Sequence, residues 1–362
     1  MTTTEQVAAG RITSVRTVPF DALTGADLDA WHRLRAANPA LDSPYFHPGF
    51  AAAVHAGRPV QVAVGRDQRG AVQALLPGHR DGAVLRPVGW PGADFQSPIA
   101  APGTTFPAAK LLTGGVKRFA FDHLLEPNPD FAPWFESSRP SPFVDTTGGL
   151  EGYLARASKS GKDNMGQARR RTNKAEKQLG PIRFGADVVD EDALREVVRL
   201  KRGQYEATGA VDYFAEPDRV DMLTRLLHTR GTDFAGILST VHAGPHLLAA
   251  HFGIRSGSVL HWWFPVYDPE FSALAPGWIL LRELVQAAPE LGVGRIDFGR
   301  GDDEYKRRAK TGEVQVAQGV VTRSSAYRVV RRARNSLISA AKQSALAPQL
   351  RTIAHRLRAH NR

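Results

Sequence analysis

The sequence predicts an α/β protein built from two copies of one strand–helix–hairpin unit, with a basic helical tail behind them. Three observations lead there. The order of elements that begins near Arg11 begins again at Pro181, an offset of about 165–175 residues between matched elements. With 362 residues and 42% hydrophobic content, the chain can bury a large core and divides into about two domains. The second copy also ends on a short strand that runs into Gly299-Arg300-Gly301-Asp302-Asp303-Glu304-Tyr305-Lys306, the kind of strand-end loop in which α/β proteins hold ligands.

The first copy opens with RITSVRTVPF, a strand, and a helix follows at Asp27, acidic at its start and with Leu28, Trp31 and Leu34 on one face. After Ser43-Pro44-Tyr45-Phe46-His47-Pro48 and a second short helix, the runs VQVAVG and AVQALLPG flank residues 66–70 as a hairpin. AVLRPVGW adds a strand leading into Pro91-Gly92-Ala93-Asp94-Phe95. From there to Gly149 the chain is rich in Pro and aromatic residues, and its periodicity is too weak to divide into elements.

In the second copy PIRFGADVV is the strand, and EDALREVVRLKRGQYEA is the helix, with Leu194, Val197 and Val198 inward. Asp212-Tyr213-Phe214 echoes Tyr45-Phe46, and a short helix carries Met222, Leu223, Leu226 and Leu227. FAGILSTV and LLAAHFGI pair across residues 243–245. HWWFPVY is a strand with Trp262 and Trp263 on opposite faces, one for the core and the other open to wall a cleft. Past Pro276-Gly277, a helix carries Ile279, Leu280, Leu281, Leu284 and Val285, and residues 295–298 form the short strand before the acidic loop. The expected organisation is therefore a first lobe at 11–150, a basic linker helix at 151–180, a second lobe at 181–322 and a tail at 323–362, with a groove between the lobes.

There is no cysteine, which excludes disulfides, thiolate metal sites and a cysteine nucleophile. No metal is expected. The net charge is +11, but the chain from Arg323 onward holds ten Lys/Arg and no acid, which leaves about +1 for the body and argues against a duplex nucleic acid partner. Residues 159–177 hold seven basic residues against Asp163 and Glu176, and read as a solvated linker face or a grip on phosphates. No basic–apolar leader or membrane-length apolar run is seen, so the expected location is the cytoplasm. In the tail, Val329, Val330, Ala333, Leu337, Ile338 and Ala341 share a helical face among arginines. That face either packs on the second lobe and leaves the arginines solvated, or lies on an anionic membrane at the inner face.

The helix after Pro276-Gly277 presents free N–H groups and the positive end of its dipole, which suits a phosphate, and Gly277 allows close approach to the backbone. A core helix that merely begins at Pro-Gly reads the same way. Asp297, Asp302, Asp303, Glu304 and His261 are nearby bases, and Tyr305 and Lys306 are nearby donors, alongside a capping role for Asp302 and a solvated one for Lys306.

The run HWWFPVYDPEF, then SALAPGWILLRELVQAA, then GVGRIDFGRGDDEYK resembles the acetyltransferases of the CelD/BcsL cellulose-biosynthesis type, duplicated relatives of the GNAT fold akin to FemAB-type transferases. The resemblance implies two GNAT-like lobes, each a mixed sheet flanked by helices, and transfer of an acyl group from acyl-CoA to the amine of a small-molecule, amino-sugar or cell-envelope acceptor. It implies a carrier site at Ala275, Pro276, Gly277 and Trp278 and a charge-stabilising role for Lys306; the residues themselves add a backbone N–H near Val266 to polarise the acyl carbonyl, Tyr305 as a second donor, and Asp297 or Asp302 as base. It further implies acceptor contacts from Arg202 and Trp263, and from Arg80, Asp94 and Phe95 in the groove. SALAPGW has one glycine where the GNAT loop has two or more, so an aminoacyl-tRNA donor remains an alternative, as does a binding protein on the same fold without catalysis.

Overall fold

The structure, a computed structural model, describes residues 10–301, 303–331 and 333. Asp302 and most of the tail, with the membrane role expected of it, lie outside the described residues.

In the first half the elements are β1 (Ser14–Pro19), α1 (Gly25–Ala36), α2 (Pro48–His55), β2 (Gln61–Arg66), β3 (Val72–Asp81), β4 (Val84–Pro87), β5 (Ile99–Ala100), β6 (Arg118–Leu125) and β7 (Phe135–Asp145). α1 starts where it does because Thr24 and Asp27 cap each other. The Thr24 hydroxyl accepts the Asp27 N–H at 3.2 Å, and the Asp27 carboxylate accepts the Thr24 N–H at 3.1 Å. Two helices, α3 (Gly149–Arg156) and α4 (Lys159–Leu179), occupy the stretch expected to be one linker helix.

The second half holds β8 (Ile182–Gly185), α5 (Glu191–Thr208), α6 (Pro217–Leu227), β9 (Phe234–Ala243), β10 (His246–Ser256), β11 (Val259–Tyr267), α7 (Pro276–Ala287), β12 (Arg295–Asp297), α8 (Glu304–Ala309) and β13 (Gly312–Thr322). Asp190 caps α5 through the N–H groups of Asp192 and Ala193, and Gly209, at φ 65°, ends it.

All strands join one mixed sheet in the order β1-β2-β3-β4-β6-β13-β7-β12-β11-β10-β9-β8, with β5 on β3. The order is symmetric about its centre. From each edge inward come three antiparallel pairings and then a parallel one, β4 with β6 or β11 with β12. The duplicated α/β architecture expected from the sequence is therefore present, but the two halves do not close separately. β7 leaves β6 and pairs with β12 and β13, and β13 returns to pair with β6 and β7. The central strands are exchanged, so no groove divides two closed lobes.

Side chains alternate across the sheet into cores on both faces. Val62, Val64, Leu238, Phe252 and Trp263 face a cluster shared by α1, α2, α5 and α6 of both halves. On the other face, Ile237, Leu248 and Trp262 meet α4 and α7, while Ala63, Leu76 and Phe119 meet Phe106 and Phe131. The crossover from β11 to β12 is α7, whereas from β4 to β6 it is the irregular stretch 88–117. The halves are thus unequal where a ligand-binding helix would sit. No described helix is long and apolar enough to cross a membrane.

The described start of the tail docks on the first half. Tyr327 lies beneath Arg118 at 4.7 Å, Arg328 lies over Trp134 at 5.0 Å, and Arg331 reaches both oxygens of Glu136 at 2.9 and 3.0 Å. Val329 and Val330 are exposed. Here arginines make the contacts and valines face solvent, the reverse of an apolar face packed on the second lobe.

Candidate active site

β11 and β12 pair in parallel only over Val259, Leu260 and His261 against Arg295, Ile296 and Asp297. Beyond that point β11 runs on to Tyr267, while the other strand turns away through Gly299 and Gly301, at φ 69° and 148°. A notch opens between them. Both positions favour glycine by φ, and Gly299 also by close approach: a Cβ there would lie 2.2 Å from Asp94 Oδ2, while one at Gly301 would lie 3.1 Å from Lys306 Nζ.

Lys306, on α8, is buried in this notch. Its Nζ donates to the carbonyls of Gly299 at 3.3 Å and Arg300 at 3.2 Å, and lies 3.4 Å from Asp303 Oδ2. Across from it, Lys201 Nζ on α5 donates to the Pro265 carbonyl on β11 at 3.3 Å. Burial, followed by the like charge of Lys306, pushes the Lys201 ammonium down to about 8 against the pull of Asp303.

Asp94 arrives from the first half. Its Oδ2 faces His261 Nε2 at 3.0 Å and its Oδ1 faces His123 Nε2 at 3.1 Å, while His123 Nδ1 lies 2.8 Å from Asp122 Oδ1. Burial alone would raise the Asp94 carboxyl, but the bonds from His123 and His261 hold it well below the usual range. For His123 burial works the other way, and Asp122 and Asp94 outweigh it and raise the imidazolium. The Asp94 side chain keeps 26% of its surface exposed, so a ligand in the notch can reach it. The segment that delivers Asp94 is pinned by Trp263 Nε1, which donates to the Gly92 carbonyl at 2.8 Å.

The other expected residues fall in several places. Ala275, at φ 44°, is the non-glycine residue with positive φ among those described, and it caps α7 without a side-chain bond. Nothing lies within 4 Å of a Cβ built at Gly277, so there is open space at that position, while Pro276 is buried. Trp278 follows on α7, whereas the Val266 side chain on β11 is buried in the core that α5 and α6 share, apart from the one that holds α7. Tyr305 packs its ring on Phe298 at 5.8 Å, and its hydroxyl is pushed up first by burial and then by Asp303 and Asp94.

Four expectations need correction. Asp297 is 1% exposed, and its two oxygens take Arg295 Nε and Nη2 at 2.9 and 3.2 Å. The same arginine grips Asp42 of the first half, so Asp297 pins β12 and does not serve as a free base. Arg202 is exposed and paired with Asp212 at 2.9 Å, on the outer side of α5. Arg80 is exposed and folds onto the Gly82 carbonyl of its own hairpin, away from the residues of the notch. Trp263 and Phe95 are buried against Tyr45 and His261, and support the site instead of walling a cleft.

Sequence reasoning missed His123 altogether and passed over Lys201 for its neighbour. A signal existed for Lys201, which stands seven residues after Leu194 and four after Val197 and so shares their inward face. His123 offered none, because its strand lay in the stretch without periodicity.

One further cluster has ligand-like spacing among the described residues: His32, His47 and Asp233, with donor atoms within 4.8 Å of one another. It is not suited to a metal. His47 Nδ1 accepts the Gly49 N–H at 3.0 Å, which places its proton on Nε2 facing Asp233 at 3.1 Å. A cation on Nε2 would force the proton onto Nδ1 and leave the Gly49 N–H without this acceptor. Two surface cavities, about 470 and 310 Å³, are lined by other residues than those of the notch.

Residues 162–307, which include the splayed strand, α7 and Lys306, match the family model described as Acetyltransferase (GNAT) domain. No curated protein matches the chain. Among solved structures the chain is similar to FemX, with 11% identity over 83% of this chain and 96% of that one at a TM-score of 0.50. It is similar also to the C-terminal domain (DUF2156) of a putative lysylphosphatidylglycerol synthetase from Agrobacterium fabrum, with 12% identity over 87% and 96% of the two chains and a TM-score of 0.50. These likenesses concern the fold, which is GNAT-like.

Proposed function

We propose that the protein is an N-acyltransferase that moves an acyl group from a thioester of the acyl-CoA type to an amine, in the notch where β11 and β12 part. The observation that carries this reading is the buried Lys306 ammonium at the mouth of a splayed parallel pair, inside the segment that matches the GNAT family model. In the transfer, the amine nitrogen bonds to the acyl carbon, the C–S bond breaks, and negative charge passes through the carbonyl oxygen to sulfur. Lys306, oriented by two carbonyls, offers that charge a fixed donor in a site shielded from water. The open space at Gly277 and the start of α7 suit the phosphates of the carrier. Asp94, ionised and partly exposed, suits an acceptor that arrives as an ammonium. A small-molecule, amino-sugar or envelope amine fits that description.

The single glycine of the α7 loop favours a second reading, an aminoacyl ester on tRNA as donor. A screen of acyl-CoA thioesters against amino-sugar and peptide amines, read by thiol release, tests the first, and retention of charged tRNA tests the second. Lys306→Ala is expected to lower the single-turnover rate at least tenfold, about 1.4 kcal/mol of transition-state stabilisation. A wild-type rate in that variant would remove Lys306 from the chemistry, whereas no transfer by the wild type from either donor would favour a binding protein without catalysis.

A further inference from the structure

We infer that Lys201 is the base that takes the proton from the attacking amine. This rests on the acyl-transfer reading above and deepens it. Helix periodicity turns Lys201 inward under β11, with Nζ 3.3 Å from the Pro265 carbonyl, on the stretch of β11 that has parted from β12, and 3.3 Å from Gln204 Oε1. Neither partner is a carboxylate. The charged groups that face it are Lys306 on α8, which opposes a second ammonium, and Asp303 beside α8, which favours one. Tyr205 of its own helix presents a ring 5.7 Å from Nζ, a contact that also favours the cation. Burial and Lys306 prevail, and the group titrates at about 8, so a substantial neutral fraction exists at mildly alkaline pH.

The two lysines then divide the work. Lys306, 3.4 Å from Asp303, meets developing negative charge, while neutral Lys201 holds a lone pair. The acceptor that arrives as an ammonium first gives one proton to solvent; as the neutral nitrogen then bonds to the acyl carbon, its second N–H proton moves to Lys201 Nζ, which becomes an ammonium. The C–S bond breaks, its electron pair leaves with sulfur, and the thiolate takes a proton from water. Deprotonation of Lys201 by solvent closes the cycle.

Two measurements test this. Competitive labelling with acetic anhydride, read residue by residue in a mass spectrometer with the exposed Lys159 and Lys174 as internal references, should give Lys201 a midpoint near pH 8. With the acyl-CoA and amine pair selected by the screen, the wild-type single-turnover rate should rise with pH through the same midpoint. Lys201→Met and Lys201→Arg should each lower it about a hundredfold or more and abolish the rise, with donor affinity unchanged. A labelling midpoint at the ordinary lysine value overturns the inference. So does an active Lys201→Met variant with the wild-type profile, a result that leaves the acyltransferase reading standing. No transfer by the wild type from any thioester sinks that reading, and the base role with it.

Discussion

Asp94 serves two histidines at once, and the consequences can be measured by stability. His123 is raised above its ordinary 6.5 by Asp122 and Asp94, despite burial, so the folded state holds its proton more tightly than the unfolded chain. Its contribution is then fully present below pH 6.5 and is lost as pH rises through the folded-state value. Asp94 has the opposite sign: its contribution is present above the ordinary carboxylate value of 3.8 and fades as the pH falls below it. Asp94→Asn is expected to cost about 3 kcal/mol at neutral pH, the scale of breaking a buried pair. Urea denaturation measures it, and a cost within error of zero would mean the network does not hold the halves together. In the same assay the gap between wild type and His123→Gln should narrow from pH 6 to pH 9. A gap that widens with pH would contradict the raised imidazolium.

Among elements, α7 begins differently from α1 and α5. α1 and α5 start on side-chain caps, whereas α7 starts on Ala275 in left-handed conformation, with no cap and an open Gly277. Uncapped N–H groups and local strain are features that a bound anion would offset. Gly277→Val should therefore raise the KM for the acyl donor at least tenfold, and it should leave the melting temperature unchanged because its Cβ meets no protein atom within 4 Å. An unchanged KM would remove the start of α7 from the donor site. A fall in melting temperature without a change in KM would point to a purely structural role.

For the whole molecule, the exchange of β7 and β13 makes the halves interdependent. A fragment of residues 1–180 lacks β13, the partner of both β6 and β7, and a fragment of 181–362 lacks β7, the partner of β12. Each would expose strand edges in what is the middle of the intact sheet. Neither fragment alone is expected to give a native circular dichroism spectrum or a compact elution volume, and mixing the two during refolding should restore both. Independent folding of either fragment would show that the exchange contributes little.

The sequence by itself determined the elements and their repetition. Trp31 and Leu34, Leu194 and Val197, and the hairpin runs around residues 66–70 and 243–245 declare themselves because periodicity, caps and turn residues act over a few positions. It also determined that the strand ending near Asp297 leads into the loop bearing Lys306, since strand, glycines and lysine lie within twelve residues from 295 to 306. Only the tertiary structure decided that the halves trade β7 for β13, that Asp94 stands between His123 and His261, and that Asp297 is committed to Arg295 and Asp42. Asp94 and His261 are separated by 167 residues, and Arg295 and Asp42 by 253. Contacts at that range are selected by strand register, shared burial and charge pairing in the assembled sheet, and no local pattern encodes them.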